Sequence, residues 1–278
     1  MKTTLLTSLA LLAFAANSLL TRLALGAGAI DAASFMAIRL FAGAAMLCGL
    51  VGISRGSDGF NARGDWLAAL MLFLYAALFS FAYLQLDSGT GALILFGTVQ
   101  ATMLLAALRQ GETPNILEWL GLLFALGGLT YLVLPGLSAP PILGSGLMVG
   151  SGIAWGIYSL LGRGAQAPIV NTMANFLRSL PFAIGAFLFT LPSVQLSPRG
   201  IILASISGAI TSGVGYVLWY AALKQLTATR AAMVQLAVPI LAAMGGIIFL
   251  QEIFSARLAI ASFAILAGIG LAILGRQH

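Results

Sequence analysis

Charge is what this chain lacks most. Only 7% of its 278 residues are Asp, Glu, Lys or Arg, against roughly 25% in an ordinary soluble domain, too few to solvate a globular surface. Histidine and cysteine are almost missing as well: the sole histidine is His278, the last residue, and the sole cysteine is Cys48. Those counts exclude a Cys/His nucleophile pair, a His-based triad and a Cys/His zinc cluster. The sequence therefore predicts no enzyme, with no catalytic residue, no metal and no cofactor, and Cys48 reads as a small packing residue. No glycine-rich phosphate loop stands between a strand and a helix, and no basic patch carries interleaved aromatics, so nucleic acid is not an expected partner. The Gly146/Gly150 and Gly152/Gly156 pairs lie in an apolar run, where small residues four apart let helices approach closely. Alternating strands of about ten residues, the mark of a membrane barrel, are not seen.

What is present is apolar. Residues of that kind make up 60% of the chain, in runs of about 20, the length that crosses a hydrocarbon layer of roughly 30 Å at 1.5 Å per residue. Ten runs are expected as helices: 3–25, 32–53, 66–86, 88–108, 116–134, 142–163, 170–191, 201–223, 230–250 and 256–274. The predicted fold class is an all-α integral membrane protein, because lipid offers exposed backbone no hydrogen-bond partner, and the bilayer is the first expected partner. The third and fourth runs meet around Asp87, Ser88 and Gly89, and the eighth and ninth around 224–229, which reads as two tight helical hairpins. With the amino terminus in the cytoplasm, the inner side collects Lys2, Arg55, Arg63, Arg109, Arg163, Lys224, Arg230 and Arg276. The outer loops hold Arg199 and Arg257, with Arg22 near the outer end of the first helix, so both termini are expected inside. Lys2, the apolar run and Ala27-Gly28-Ala29 resemble a secretory signal. Because residues 8–25 match the sixth run, which lies mid-chain, the first helix is expected to be retained.

The chain repeats itself. Ser18 to Arg22 returns as Ser159 to Arg163, 141 positions on, Arg39 pairs with Arg178 at 139, Arg63-Gly64 with Arg199-Gly200 at 136, and Glu112 with Glu252 at 140. Charged residues recur in register between apolar stretches, and this divides the chain into five-helix halves, 1–138 and 139–278. An odd number of helices makes the second half enter from the opposite side. The expected architecture is thus ten transmembrane helices in two inverted five-helix repeats, as in many secondary transporters, with a substrate site at the midplane between them.

Specific stretches also carry a family resemblance. The acidic residue after each fourth helix (Glu112 after LRQG, Glu252 after FLQ), GIAWGIYSLLGR at 152–163 and TATRAAMVQLAVPI at 227–240 resemble the drug/metabolite transporter superfamily, and within it EamA-type exporters of the YddG amino-acid exporter kind. The likeness covers essentially the whole chain. It implies export of a small molecule and leaves the substrate open, since that superfamily moves amino acids, drugs, nucleotide sugars and other metabolites. One departure is Pro239 in the ninth helix, whose counterpart in the fourth is Val99.

Candidate site residues follow from depth and symmetry. Tyr75, Phe79 and Tyr83 recur every four residues on the third helix, while Tyr216, Trp219 and Tyr220 crowd one side of the eighth. Trp155 and Tyr158 answer Phe14 and Asn17 at the offset of 141. Gln100 and Gln235 add amides that hydrocarbon does not tolerate without partners. Each of these has a packing alternative: an aromatic can face lipid or core, and an amide can bond between helices. Arg39 and Arg178 lie about 12 Å below their surfaces at 1.5 Å per residue. They mark a pathway or gate, or snorkel to the nearer interface. Glu112 and Glu252 read as helix-end anchors, and all seven acidic residues stand at or near helix ends, which weakens a proton/multidrug reading built on a membrane carboxylate. The function expected is export of a small metabolite, an amino acid first and aromatic ones among them, across the inner membrane by alternating access through a central cavity. Efflux of an aromatic or cationic drug is the alternative within transport; a membrane enzyme and a noncatalytic channel or scaffold are alternatives of other classes.

Overall fold

The structure is a computed structural model. It describes residues 2–55, 64–109, 116–134, 139–162, 167–223, 234–235, 237–253 and 255–275. Within them run α1 (Lys2–Gly26), α2 (Ala32–Arg55), α3 (Trp66–Ala82), α4 (Ser88–Arg109) and α5 (Ile116–Val133). Then follow α6 (Ile142–Leu161), α7 (Pro168–Phe189), α8 (Pro198–Leu223), α9 (Ala237–Leu250) and α10 (Ala256–Gly275). Among the described residues there is no β-strand, and an isolated antiparallel bridge joins Ile30 to Leu196.

Among the described residues, five helices are long and apolar enough to cross a membrane by themselves: α1, α2, α6, α7 and α8. The apolar parts of α3, α5, α9 and α10 are shorter. Several ends differ from expectation. The third helix stops at Ala82 instead of residue 86, because a turn closed by Gln85 N–H to Ala82 O at 3.0 Å and Leu86 N–H to Ala82 O at 3.1 Å takes over before α4. The seventh runs from Pro168 to Phe189, two residues earlier than expected at each end. The expected hairpin at 224–229 lies outside the described residues.

The strongest packing partners join one helix from 2–133 to one from 142–275: α5 with α10, α3 with α6, α2 with α7 and α8, and α4 with α6. Small residues make this possible. A Cβ on Gly268 would meet Gly121 O at 2.5 Å and Ala125 N at 2.6 Å, and one on Gly152 would meet Leu95 O at 2.9 Å. Such contacts rely on close backbone approach, because burial of apolar surface gives no net drive between helices in lipid.

The middle of α8 departs from α-helical register. Ser207–Val214 forms a π-helix between α-helical segments Pro198–Ile206 and Gly215–Leu223. Gly208 in that segment lies against the Arg39 carbonyl of α2, where a Cβ would overlap it.

One end of the bundle is tied together by polar contacts. Asp31 N–H donates to Gln195 O at 3.1 Å, Ser197 N–H to Ala29 O at 3.1 Å, and Gln195 N–H to the Asp31 carboxylate at 3.0 Å. Burial pushes the Asp31 carboxyl up, but hydrogen bonds from Ser34 and the Gln195 N–H outweigh it and hold the group below its ordinary value of 3.8. At the same end Gln85 accepts the Gly144 N–H at 3.2 Å. Arg22 reaches Asp87 at 3.4 Å and Glu252 at 3.7 Å.

Candidate functional site

A narrow cavity lies at the centre of the bundle. Phe14, Asn17 and Ser18 of α1, Tyr75 and Phe79 of α3, Leu95 and Phe96 of α4, Trp155 of α6, and Thr211 and Tyr216 of α8 line it. Helical spacing explains the convergence. Residues three or four apart share one helix face, so Phe14 with Asn17, and Tyr75 with Phe79, turn inward together. Trp155 is the hub of the aromatic wall, with ring centroids 4.7 Å from Tyr75, 5.0 Å from Tyr216, 5.5 Å from Tyr158 and 6.4 Å from Phe14.

A polar chain crosses this apolar lining. Asn17 Oδ1 accepts from Ser207 Oγ at 2.7 Å, while its Nδ2 donates to the Tyr75 hydroxyl at 3.4 Å; Thr211 Oγ1 lies 3.2 Å from Oδ1 and donates its proton to Ser207 O at 2.7 Å. The same hydroxyl accepts from Arg39 Nη2 at 3.0 Å, and Arg39 Nε donates to Ser212 Oγ at 3.1 Å. Arg39 is only 1% exposed. Its guanidinium lies 5.1 Å from the Tyr75 ring centroid and 5.0 Å from that of Phe79. The buried polar atoms here that have no hydrogen-bond partner among the described residues include Arg39 Nη1 and the Tyr216 hydroxyl. Unmade bonds of this kind are expensive to bury.

Other expected residues fall elsewhere. Trp219 touches the wall from outside, edge-on to Phe14 at 5.8 Å. Tyr83 packs edge-on to Phe79 at 4.7 Å, but its hydroxyl turns to the tied end and donates to Ser88 O at 3.2 Å. Tyr158 belongs to a second space at the opposite end. There the starts of α3 and α7 and the ends of α6 and α8 leave about 80 Å³ between Asp65, Tyr158, Asn171, Thr172, Asn175 and Tyr220. Gln100 is half-buried and absent from both linings, because it follows Phe96 on the same face one turn beyond the cavity. Gln235 is half-buried and likewise absent from both linings. Pro239 is buried in α9.

The paired arginines have different surroundings. Arg178 is half-buried and stacks 5.7 Å from the Trp66 ring at the start of α3, unlike the enclosed Arg39. Glu252 binds the amino terminus of α4, accepting the Ser88 N–H at 2.9 and 3.0 Å, with Ser88 Oγ at 2.5 Å. Glu112 lies outside the described residues. Sequence reasoning missed Ser18, Ser207, Thr211 and Ser212; a signal for the last three was their recurrence as hydroxyls in one apolar run.

A buried aromatic cavity among packed helices that carry membrane-length apolar runs defines the class as a helical membrane protein with an internal cavity. The EamA-like transporter family matches residues 142–274. An uncharacterized protein of Pseudomonas aeruginosa is 53% identical over 97% of this chain and 94% of its own length. Uncharacterized transporters of Bacillus subtilis and Archaeoglobus fulgidus are 21% and 27% identical, over 84% and 74% of this chain and 85% and 73% of theirs. A crystal structure with 20% identity has a TM-score of 0.71 over 99% of both chains, which shows a shared fold. The chain belongs to the EamA-like transporter family and is a multi-pass membrane protein of the drug/metabolite transporter superfamily.

Proposed function

We propose that this protein is an inner-membrane secondary transporter that exports a small metabolite, an amino acid or related compound, by alternating access through the central cavity. Its helices form ten spans in two inverted five-helix repeats, halves 1–138 and 139–278, with both termini in the cytoplasm. The observation that carries this reading is the asymmetry about the cavity. One end is tied by Asp31–Gln195, Arg22–Asp87 and Glu252–Ser88 contacts, while at the other the described side chains leave space beside Tyr158 and Asn171. A cavity between halves that pack through one another suits a rocking motion that exchanges the tied end. Cationic-drug efflux is less well supported, since the described Asp31, Asp65, Asp87 and Glu252 stand at helix ends, away from the cavity wall.

Counterflow in proteoliposomes tests the reading. Vesicles preloaded with individual metabolites are given a trace of the same labelled compound. Saturable accumulation of the label with one compound, lost in Trp155→Ala vesicles, is the expected result. Linear flux without saturation would make the protein a channel, and no accumulation across the metabolite classes would remove the transport assignment.

A further inference from the structure

We infer that the central site selects organic acids with a flat apolar body, and that Arg39 together with the Tyr75 hydroxyl receives the carboxylate. This rests on the central-cavity reading above and narrows its substrate class. The starting point is a charge that the fold does not neutralise. Arginine keeps its proton in proteins, and Arg39 is enclosed to 1% exposure. Among the described residues, no carboxylate lies within ion-pair distance of it; the ion pairs found there involve Arg22 alone. Arg39 is held instead by neutral partners, Ser212 and Tyr75, and by the faces of Tyr75 and Phe79. Nη1 has no partner.

Removing one partner from a buried ion pair is strongly destabilising because it leaves a charge uncompensated. The same physics makes an incoming anion the natural complement of Arg39. Tyr75, whose hydroxyl and ring Arg39 touches, is part of the cavity wall, with Arg39 directly behind it. That hydroxyl accepts hydrogen bonds from Arg39 and Asn17, so its own proton is available for an acceptor in the cavity. A carboxylate beside Tyr75 would take that proton in a hydrogen bond and reach Arg39 Nη1 with its second oxygen. Charge-assisted bonds of this type are the strong ones.

In this closed form the cavity holds only about 10 Å³, so a ligand enters as the helices part. Trp155, Phe14 and Tyr216, packed here against one another, are the aromatic surface a planar apolar group would then meet. An ammonium group finds a poorer match: Asn17 Oδ1 already accepts the Ser207 hydroxyl, and Arg39 repels it. The recognition handle is therefore the acid group. An amine lacking it should be refused, and an acid lacking the ammonium accepted.

Three probes with one ring and nearly one length separate these cases: 3-phenylpropionate, phenylalanine and phenethylamine, titrated calorimetrically against the purified full chain in lipid nanodiscs. We expect both acids to bind and the amine to bind at least about tenfold more weakly. Arg39→Gln should lower affinity for the acids by about 10- to 100-fold, the range of a lost charged hydrogen bond, with Arg39→Lys falling between and amine binding hardly changed. Amine binding as tight as acid binding would overturn the inference and leave the central-cavity reading intact. So would unchanged acid affinity in a folded Arg39→Gln protein. Binding of none of the three would overturn this inference, while loss of counterflow for every metabolite would overturn the transport reading itself. If Arg39→Gln does not fold, the acid-to-amine ratio of the unaltered protein still decides.

Discussion

Glu252 caps the amino terminus of α4 by accepting the Ser88 N–H, although the two residues are 164 positions apart. A helix terminus presents N–H groups without intrahelical partners and a partial positive charge, so a carboxylate there bonds and neutralises at once. Gly246 makes the space: a Cβ at that position would overlap the Glu252 carboxylate and the Ser88 hydroxyl. Glu252→Gln retains shape while losing charge toward Ser88 and Arg22. We expect it to lower stability by about 1–3 kcal/mol, as for hydrogen bonds to a charged group. Gly246→Ala should be at least as damaging. Thermal unfolding in detergent checks both, and an unaltered melting temperature in the two variants would mean that the cap contributes nothing.

The contact between Gly208 and the Arg39 carbonyl predicts a second sensitivity. The obstructing atom is backbone, so a Cβ cannot be accommodated by a rotamer change. Overpacking usually costs about 1–3 kcal/mol, and Gly208→Ala should reach or exceed that, with reduced abundance in the membrane. Gly185→Ala is the control, because a Cβ there meets nothing within 4 Å. Equal yields and melting temperatures for the two variants would contradict the close approach of α2 and α8.

Much of this site was legible because it depends on periodicity. Phe14, Asn17, Tyr75, Phe79 and Trp155 are paired by three- or four-residue spacing or by the repeat offset, and the structure brings them to one cavity. Ser212 was hidden for a reason of geometry. In an α-helix at 3.6 residues per turn, five residues advance by about 500°, leaving Ser207 and Ser212 about 140° apart. In the π segment the i to i+5 relation closes a turn, and both can serve the Asn17–Arg39 chain. Apolar residues surrounding 207–214 carry no instruction for that register. Arg178 diverged from Arg39 because its neighbour is the exposed Trp66 at a helix start, a relation between α7 and α3 that sequence depth cannot convey.

The tied end has a pH dependence of known sign. The folded-state Asp31 carboxyl is held below its unfolded value of 3.8, so its stabilising contribution is present above that pH and is lost as pH falls through the folded value. We expect acid to weaken the Asp31–Gln195 clasp below about pH 4. Asp31→Asn should remove that increment of acid sensitivity and lower stability at neutral pH. Melting curves between pH 3 and 7 check this; parallel curves for the two proteins would mean that another group governs the response.

Orientation can be read directly. Gln195 stands exposed at the tied end and Arg109 exposed at the far end of α4. In a Cys48→Ser background, a cysteine at Gln195 should react with an impermeant maleimide added to intact cells, and a cysteine at Arg109 only after the membrane is opened. The reverse pattern would invert the proposed topology and place both termini outside.

Trp155 is where the aromatic wall is most vulnerable. It meets Phe14, Tyr75, Tyr158 and Tyr216 at once, and aromatic pairs are worth about 0.5–1.5 kcal/mol each beyond area burial. Removing the indole should weaken a ring-bearing ligand through lost contact and through wetting of the space it filled. Since each 1.4 kcal/mol is tenfold in affinity, loss of one or two such contacts predicts a dissociation constant about 5- to 100-fold higher for Trp155→Ala. Trp119, 46% exposed on α5 and distant from the cavity lining, provides the comparison, and Trp119→Ala should bind as the unaltered protein does. Titration of the ligand identified by counterflow distinguishes them. A shared dissociation constant for both variants would show that the ligand sits somewhere other than this cavity.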